Sequence, residues 1–554
     1  MPGYIYPIYC PISRPSCPLD HGPGRKTLTM VSLVAKIISS CIAAWVIDLW
    51  IRYRKAVADV GYLPGLRLLF APTCMIGNII PRTRLISAGS GHGFQFKRTI
   101  CDKAGMDIYS SVGLVPVAAA YVVSDPDALK QIFASRSPFK KHAYDYRALT
   151  IFGRNLLSAE GDEWRRQRRI AAPVFSEKNN RLVQSCAKGF VDQMTNEWGH
   201  EAPVHIEDVQ GDITMQITLC IISKAGFGQD IEWGDKGEAP EGHQLTFKQA
   251  LLVVSHNLHF IIMLPKWVFG WSKHLTKVRD AYEELRLYFQ EMISSRRADN
   301  TPGSRIQVEE QYDLFNQIIL AHDDNNTLSE EELIGNVFLF LFAGHETTAN
   351  SLAFTLGLLA LYPEEQRKVV EQIKELQKES CEFSYDDLPK YTHTLAALYE
   401  ALRLYPIGSE LPRRTDSDTF LTYTPYHTKE PTSLPIKNGS RIVVNIAGLH
   451  YNPKYWDDPN DFIPARFLDP NWNRDTFLPF LAGPRACIGR RFAETTAVTV
   501  LVRLLSKYTV TVDETRFKFI EGEPILSLRE RFLGATAQIT LTPRKFPLVF
   551  TPRK

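Results

Sequence analysis

Near its C-terminus the chain reads Phe480-Leu-Ala-Gly483-Pro-Arg485-Ala-Cys487-Ile-Gly489, a loop built around one sulfur. Gly483 and Gly489 permit backbone turns that a Cβ would obstruct. Arg485 sets a fixed cation two residues from the sulfur, of a shape suited to carboxylate or phosphate. The run from Ala493 onward has helical character, which places Cys487 just ahead of a helix, where N–H groups and the dipole favour thiolate. The plain alternative for a lone cysteine is a buried free thiol.

A second chemical segment interrupts the driest part of the chain. The apolar run Val337-Phe-Leu-Phe-Leu-Phe-Ala343 passes directly into Gly344-His345-Glu346-Thr347-Thr348. A glycine in mid-helix costs about 1 kcal/mol relative to alanine, and buried polar groups cost more unless paired. Glu346 and Thr347 therefore need a reason to be there. Helical threonine also bonds back to the carbonyl one turn earlier, the role expected of Thr348. His345 is expected to be packed or hydrogen-bonded rather than catalytic.

The helix that carries this segment is expected over 329–362, ending at Pro363, with Thr327/Glu330 or Ser329/Glu332 as a capping box. About 34 residues at about 1.5 Å each span roughly 50 Å, enough to cross a whole domain. Its middle is apolar on every side, so it must be buried all round. Helical periodicity dominates from about residue 125 onward. Short alternating stretches occur near 114–123, 419–424, 441–446 and 536–542, and polar connections near 228–244, 298–308 and 426–440. The expected fold is mainly α with small β-sheets and no internal repeat.

A 44% hydrophobic, 23% charged composition argues against disorder, and a net charge of +3 gives no support to a nucleic-acid partner. The nine cysteines, at 10, 17, 41, 74, 101, 186, 220, 381 and 487, include no C-x-x-C pair, which argues against a disulfide framework and structural zinc and fits a reducing compartment.

Residues 27–51 are the most membrane-like stretch, interrupted by Lys36 and Asp48. A central charge costs about 2.5–3.5 kcal/mol on an insertion scale, but Lys36 can snorkel and Asp48 lies near an end. Arg52, Arg54 and Lys55 follow it, against Arg25 and Lys26 before it, a slight bias toward a cytosolic C-terminal side. No small-residue cleavage site follows, which argues against a cleaved signal peptide. The expected division is a Pro-rich extension over 1–26, an anchor over 27–51, a basic and Pro/Gly linker over 52–66 turning at Pro64-Gly65, and a catalytic domain over 67–554. Initiation at Met30 would leave only a short lumenal end.

The Cys487 loop resembles the haem-binding signature of cytochrome P-450, Phe-x-x-Gly-x-Arg-x-Cys-x-Gly, with all five fixed positions filled. Ala343, Gly344, Glu346 and Thr347 resemble that family's oxygen-activation segment, and Glu400-Ala-Leu-Arg403 with Pro464-Ala-Arg466-Phe467 resembles its Glu–Arg–Arg lock. Trp164 and Arg168, which share a helix face, resemble its propionate-binding pair. The resemblance covers roughly residues 60–550, with the motifs in the family's order. It implies a long central helix over a Cys-ligated haem b, with Cys487 as the axial iron ligand. Phe480, Arg485, Gly489, Trp164, Arg168 and Arg413 (or its neighbour Arg414) would hold the cofactor. Thr347 would hydrogen-bond the oxygen substrate, and Glu346 with water would relay protons to it. Local widening of the helix at Gly344 would make room for O₂. Glu400, Arg403 and Arg466 would be structural.

The implied function is a membrane-anchored monooxygenase of the endoplasmic reticulum, with its catalytic domain cytosolic. It would insert one oxygen atom from O₂ into a lipophilic molecule, and a general likeness to fungal enzymes of specialised metabolism points to terpenoids or similar metabolites. No G-x-G-x-x-G fingerprint follows a strand, so NADPH electrons must come from a separate NADPH–cytochrome reductase. Arg165, Arg166, Arg169, Arg490 and Arg491 could form a basic docking patch for it. Two other readings are a haem-thiolate isomerase, dehydratase or peroxygenase, against which Glu346 and Thr347 argue, and a haem sensor without turnover. Substrate contacts are expected from 141–157, 337–347, 407–412 and 525–533. Phe152, Leu156, Ile407, Leu411 and Leu526 would be the apolar contacts, and Glu410 and Arg529 could meet a polar end.

Overall fold

The computed structural model describes residues 24–72, 74–199, 201–229, 233, 238–299, 313–325, 328–379, 383–426, 428, 430–537 and 539–553. The expected extension up to residue 23, Thr327 as a cap, most of the 298–308 connection and cysteines 10, 17 and 381 lie outside them.

Helix α1 spans Gly24–Asp59. Its stretch Ser32–Asp59, in which an 18-residue window reaches a mean hydropathy of 1.8, is long and apolar enough to cross a membrane by length and composition. Asp48 and Arg52, one turn apart, form an ion pair. Arg52, Arg54 and Lys55 continue the helix instead of starting the expected linker. The chain turns at Gly61 and Tyr62, where φ is +62° and +54°, just before the expected Pro64-Gly65.

In the body the main sheet has six strands: β1 (Gly65–Phe70), β2 (Ile108–Val115), β3 (Ala118–Val123), β4 (Phe139–Lys140), β6 (Glu410–Thr415) and β9 (Arg441–Asn445). Their order is β1-β2-β3-β9-β6-β4. Between β4 and β6 in the chain, β5 (Val204–Ile206) belongs to a second sheet with β10 (Tyr508–Val512) and β13 (Leu548–Pro552). Two hairpins complete the β-structure: β7 (Thr419–Tyr423) with β8 (Thr432–Ile436), and β11 (Ala535–Ala537) with β12 (Leu541–Pro543). The alternating stretch at 114–123 straddles the β2–β3 turn. The register of β6 on β9 pairs Glu410 with Asn445 and Arg413 with Ile442. Side chains alternate along a strand, so Arg413 and Arg414 leave the sheet on opposite faces.

Helices form the bulk: α2 (Gly161–Ala171), α3 (Glu177–Trp198), α4 (Met215–Ile221), α5 (Glu330–Leu361), α6 (Thr392–Leu404), α7 (Arg490–Lys507) and α8 (Ile525–Phe532) are those that bear on the site. α5 is the expected central helix. Ser329 caps it: the Glu332 N–H donates to the Ser329 hydroxyl and the Ser329 N–H to the Glu332 carboxylate at 2.8 Å. The helix stays α-helical through Gly344, without the expected widening. Leu333 is buried, as is every residue over 335–342 and 348–361. At Gly335 a Cβ would stand 2.6 Å from the Arg154 carbonyl oxygen, so the glycine admits a neighbouring backbone. Between the two dry runs, Ala343 is exposed and Gly344, Glu346 and Thr347 are half-buried. With the helix enclosed on both sides of them, that surface faces space inside the fold.

On α6, Glu400 and Arg403 are fully buried. Arg403 grips Glu400 with two bonds of 2.7 Å and donates to the carbonyls of His450, Pro459 and Asp461 at 2.8–2.9 Å. Arg466 reaches the same carboxylate at 3.3 Å. With every donor of Arg403 engaged, a removed partner would strand a buried charge, at a cost of about 3–5 kcal/mol. Arg403→Lys keeps the charge but loses the planar fork. It is expected to lower the urea midpoint by an amount equivalent to roughly 3 kcal/mol, with the slope of the transition unchanged.

Candidate functional site

The loop before α7 closes on itself: the Cys487 N–H donates to the Phe480 carbonyl at 2.8 Å and the Ala486 N–H to that of Gly483 at 3.0 Å. Gly483 has φ +67°, and a Cβ there would sit 2.2 Å from the Phe133 carbonyl oxygen, so only glycine lets the loop lie this close. Gly489 caps α7, and its N–H points at the Cys487 sulfur. Arg490 pairs with Glu494 at 2.7 Å, donates to the Tyr399 hydroxyl at 2.9 Å, and lies over the Phe480 ring.

Cys487 is exposed, yet it lies deep within the fold, so the surface it presents is internal. The expectation that the helix end would lower its pKa needs correction. Burial pushes the thiol above its ordinary value; the Gly489 N–H, Arg168 and Arg490 pull the other way and do not overcome it. Arg485 turns instead to Glu160, at 2.7 Å, and to the Ala159 carbonyl, at 2.9 Å.

Phe175 connects this loop to the central helix. Its ring meets that of Phe340 edge-on at 5.6 Å, and it lies 3.6 Å from where a Gly489 Cβ would be. Phe340, Ala343, Gly344 and Thr347 follow helical spacing and share a face. That face is thus turned toward the Cys487 loop. The Thr347 hydroxyl donates back to the Ala343 carbonyl at 2.7 Å, leaving its lone pairs to the interior space. Glu346 accepts a hydrogen bond from Thr540, and burial pushes its carboxyl up to about 7. His345 is fully buried and bonded through Nδ1 to the Leu341 carbonyl at 2.7 Å. Burial pulls it down to about 4, so it is neutral and does no proton work at neutral pH.

Four cations gather to one side. A cavity of about 80 Å³ is lined by Lys141, Glu160, Trp164, Arg413 and Arg485. The Arg485 guanidinium lies 4.1 Å from the centre of the Trp164 ring, and Arg168 donates to the Ala486 carbonyl at 3.4 Å. Arg413 donates to the Tyr146 hydroxyl at 2.7 Å, while Arg414 turns to Asp145 on the other face of the sheet, which separates the two candidates. Lys141 donates to the Leu157 carbonyl at 3.0 Å, and burial with Arg413, Arg485 and Arg168 pushes its pKa well below the ordinary lysine value. Glu160 is the one carboxylate lining the small cavity, so the arrangement is short of negative charge and suits a ligand that brings carboxylates. Sequence reading placed Lys141 only at the start of a substrate loop; no local motif marks it.

A larger cavity of about 680 Å³ opens between the main sheet, the 255–263 region and the β11–β12 hairpin. Ile262, Leu411, Val443 and Ile539 give it apolar walls, and His92 and Glu410, 3.2 Å apart, are polar points in them. The expected contact segment 525–533 does not line it. It is mostly α8, where Arg529 is 1% exposed and donates to the Asn460 carbonyl, a structural cation and not a polar anchor. Phe152 packs into an aromatic cluster with Tyr282, Phe289 and Phe338. Of the arginines expected to form a docking patch, Arg165 pairs with Asp162, Arg166 with Glu332 and Arg490 with Glu494, and Arg491 donates to Tyr385. That face carries less free charge than its residue count suggests.

Residues 114–533 match the cytochrome P-450 family. Cytochrome P-450 monooxygenase 124 of Postia placenta is 40% identical over 511 residues, covering 90% of this chain and 96% of that protein. Cytochrome P-450 monooxygenase ORF6 of Penicillium roqueforti is 26% identical, covering 81% of this chain and 82% of its own. Among solved structures, the cytochrome P-450DA haem domain has the same fold, with a TM-score of 0.69 at 22% identity over 84% of this chain and 94% of that one. The Cys487 loop, the dry helix α5 and these likenesses converge: the chain belongs to the cytochrome P-450 family and is a haem-thiolate monooxygenase.

Proposed function

We propose that this monooxygenase inserts one oxygen atom from O₂ into a lipophilic small molecule, a terpenoid or similar specialised metabolite, with Cys487 as the axial ligand of haem b. NADPH electrons reach it through a separate NADPH–cytochrome reductase. α1 anchors it to the endoplasmic reticulum membrane, with the catalytic domain cytosolic. The observation that carries the reading is Phe175, whose ring lies against Phe340 of α5 and beside Gly489 of the Cys487 loop; it sets the exposed Cys487 toward the interval of α5 beyond its first turns, over Ala343, Gly344, Glu346 and Thr347, that is not packed shut.

The residues present fit haem. Lys141, Arg168, Arg413 and Arg485, with Trp164 carrying Arg485, would hold its two propionates. A thiol that burial holds protonated becomes a thiolate when a metal ion binds it; the Phe480 carbonyl holds the Cys487 backbone and the Gly489 N–H meets its sulfur. Haem ligated by thiolate supplies O–O bond cleavage.

Around it the chain manages protons. Glu346, near 7, can both give and recover a proton at neutral pH. Thr347, with its own hydrogen committed to Ala343, offers an acceptor that orients a protonated group in the cavity. This pair favours oxygenation over an isomerase, dehydratase or peroxygenase, which would not need it. The apolar walls of the larger cavity support a lipophilic substrate, and its His92–Glu410 pair suits one that carries a hydroxyl. Names of the fungal relatives support the monooxygenase class.

The test is the difference spectrum of the reduced, CO-bound protein beside that of Cys487→Ala. A strongly red-shifted Soret band, absent from the variant, is expected. A folded, haem-replete protein without that band would overturn Cys487 as ligand. Arg485→Leu removes one charged partner of a carboxylate and is expected to speed haem transfer to apomyoglobin by roughly 10- to 100-fold, with little change in the position of the CO band.

A further inference from the structure

Glu346 is held from outside its own helix. Thr540, 7% exposed, sits between β11 and β12, and its hydroxyl donates to the Glu346 carboxylate. Asn350, one turn after Glu346 on α5 and fully buried, directs its amide N–H groups to the hydroxyls of Thr540, at 3.4 Å, and Thr542, at 3.3 Å. The Asn350 carbonyl oxygen in turn accepts from Gln210 Nε2 at 3.2 Å. Gln210 lies on the π-helical turn Val209–Thr214. The sense of this chain is determined at its end: a carboxylate can only accept, so the one Thr540 hydrogen points to it, and Thr540 can then only accept from Asn350. Every donor runs toward Glu346.

We propose that Thr540 is a positioning residue for the Glu346 carboxyl, and that Asn350 and Gln210 fix the direction of its hydroxyl. This rests on the assignment of Glu346 as the proton-carrying group. The arrangement serves both protonation states. When Glu346 carries a proton on the oxygen that faces Thr540 it becomes the donor there, and the Thr540 hydroxyl can turn to Thr542, 3.3 Å away; with the proton on its other oxygen, the facing oxygen still accepts from Thr540. When the carboxyl gives its proton to a group in the cavity, Thr540 swings back and stabilises the anion.

The burial that raises the Glu346 pKa is opposed by the Thr540 bond alone. The ionisable groups on the surrounding elements do not share in it. His345 and His256 are neutral at pH 7, both pulled down by burial. Asp208 and Asp212, beside Gln210, accept from the backbone N–H groups of Gly211 and Asp208, and Lys545 beyond β12 pairs with Asp208 at 3.6 Å.

The test is a difference-infrared titration of the haem-loaded protein, with the carboxyl band assigned by its loss in Glu346→Gln. Thr540→Val is expected to raise the midpoint by about one to two pH units, the equivalent of one lost hydrogen bond to a charged acceptor. Thr540→Ser is expected to restore it, and Asn350→Leu to move it in the same direction as Thr540→Val by less. A Thr540→Val protein with a normal CO spectrum and an unmoved midpoint overturns the proposal. The functional assignment of Glu346 fails separately: that would be Glu346→Gln releasing no more hydrogen peroxide per electron pair than the unsubstituted protein. The infrared midpoint reads the Thr540 contact whichever way that result falls.

Discussion

A buried guanidinium must place five N–H donors, and the Cys487 side of this molecule hangs on how Arg403 places them. Two go to Glu400 and the others to the carbonyls of His450, Pro459 and Asp461, drawing the end of the short helix Ile446–His450 and the irregular chain after it onto α6. His450 carries the constraint onward. Burial keeps it neutral, pulled down to about 3, with Nδ1 bonded to the Arg403 carbonyl and Nε2 accepting the Leu478 N–H at 3.0 Å. Leu478 stands two residues before Phe480, whose carbonyl accepts from the Cys487 N–H. The sulfur is thereby located by a relay of hydrogen bonds that starts inside a helix.

The opposite wall of the site obeys a different requirement. A helix with no polar face has nowhere to put a carboxylate except where its enclosure lapses, and beyond the open start of α5 that happens only over the turn that carries Glu346 and Thr347. Gly344 lies in the same turn, where a Cβ would meet the flexible end of the Ile222 side chain at 3.0 Å.

Much of this was legible in the sequence because it is written locally. The Cys487 loop, the Ser329 cap, the length of α5 and the Glu400–Arg403 spacing depend on residues a few positions apart. What escaped were contacts between residues far apart in the chain. Thr540 lies 194 positions from Glu346, and Lys141 joins Arg413 and Arg485 only through the fold. Arg529 was expected to meet a polar end of the substrate because its segment shows a charge but not its partner, whereas its helix is turned so that the charge is buried against Asn460. The thiol was misread because dipole and neighbouring charge are visible in sequence and burial is not. Arg52–Lys55 extend α1 because a basic stretch with no glycine or proline keeps the propensity of a helix.

The β11–β12 hairpin is shared between two tasks. Thr536, Ala537 and Ile539 are part of the wall of the larger cavity, and Thr540 is the partner of Glu346. They lie close together in the chain, at the end of β11 and in the turn that leads to β12. The wall of the cavity and the partner of the acid are therefore one piece of backbone, and a substitution that reshapes the one reshapes the other.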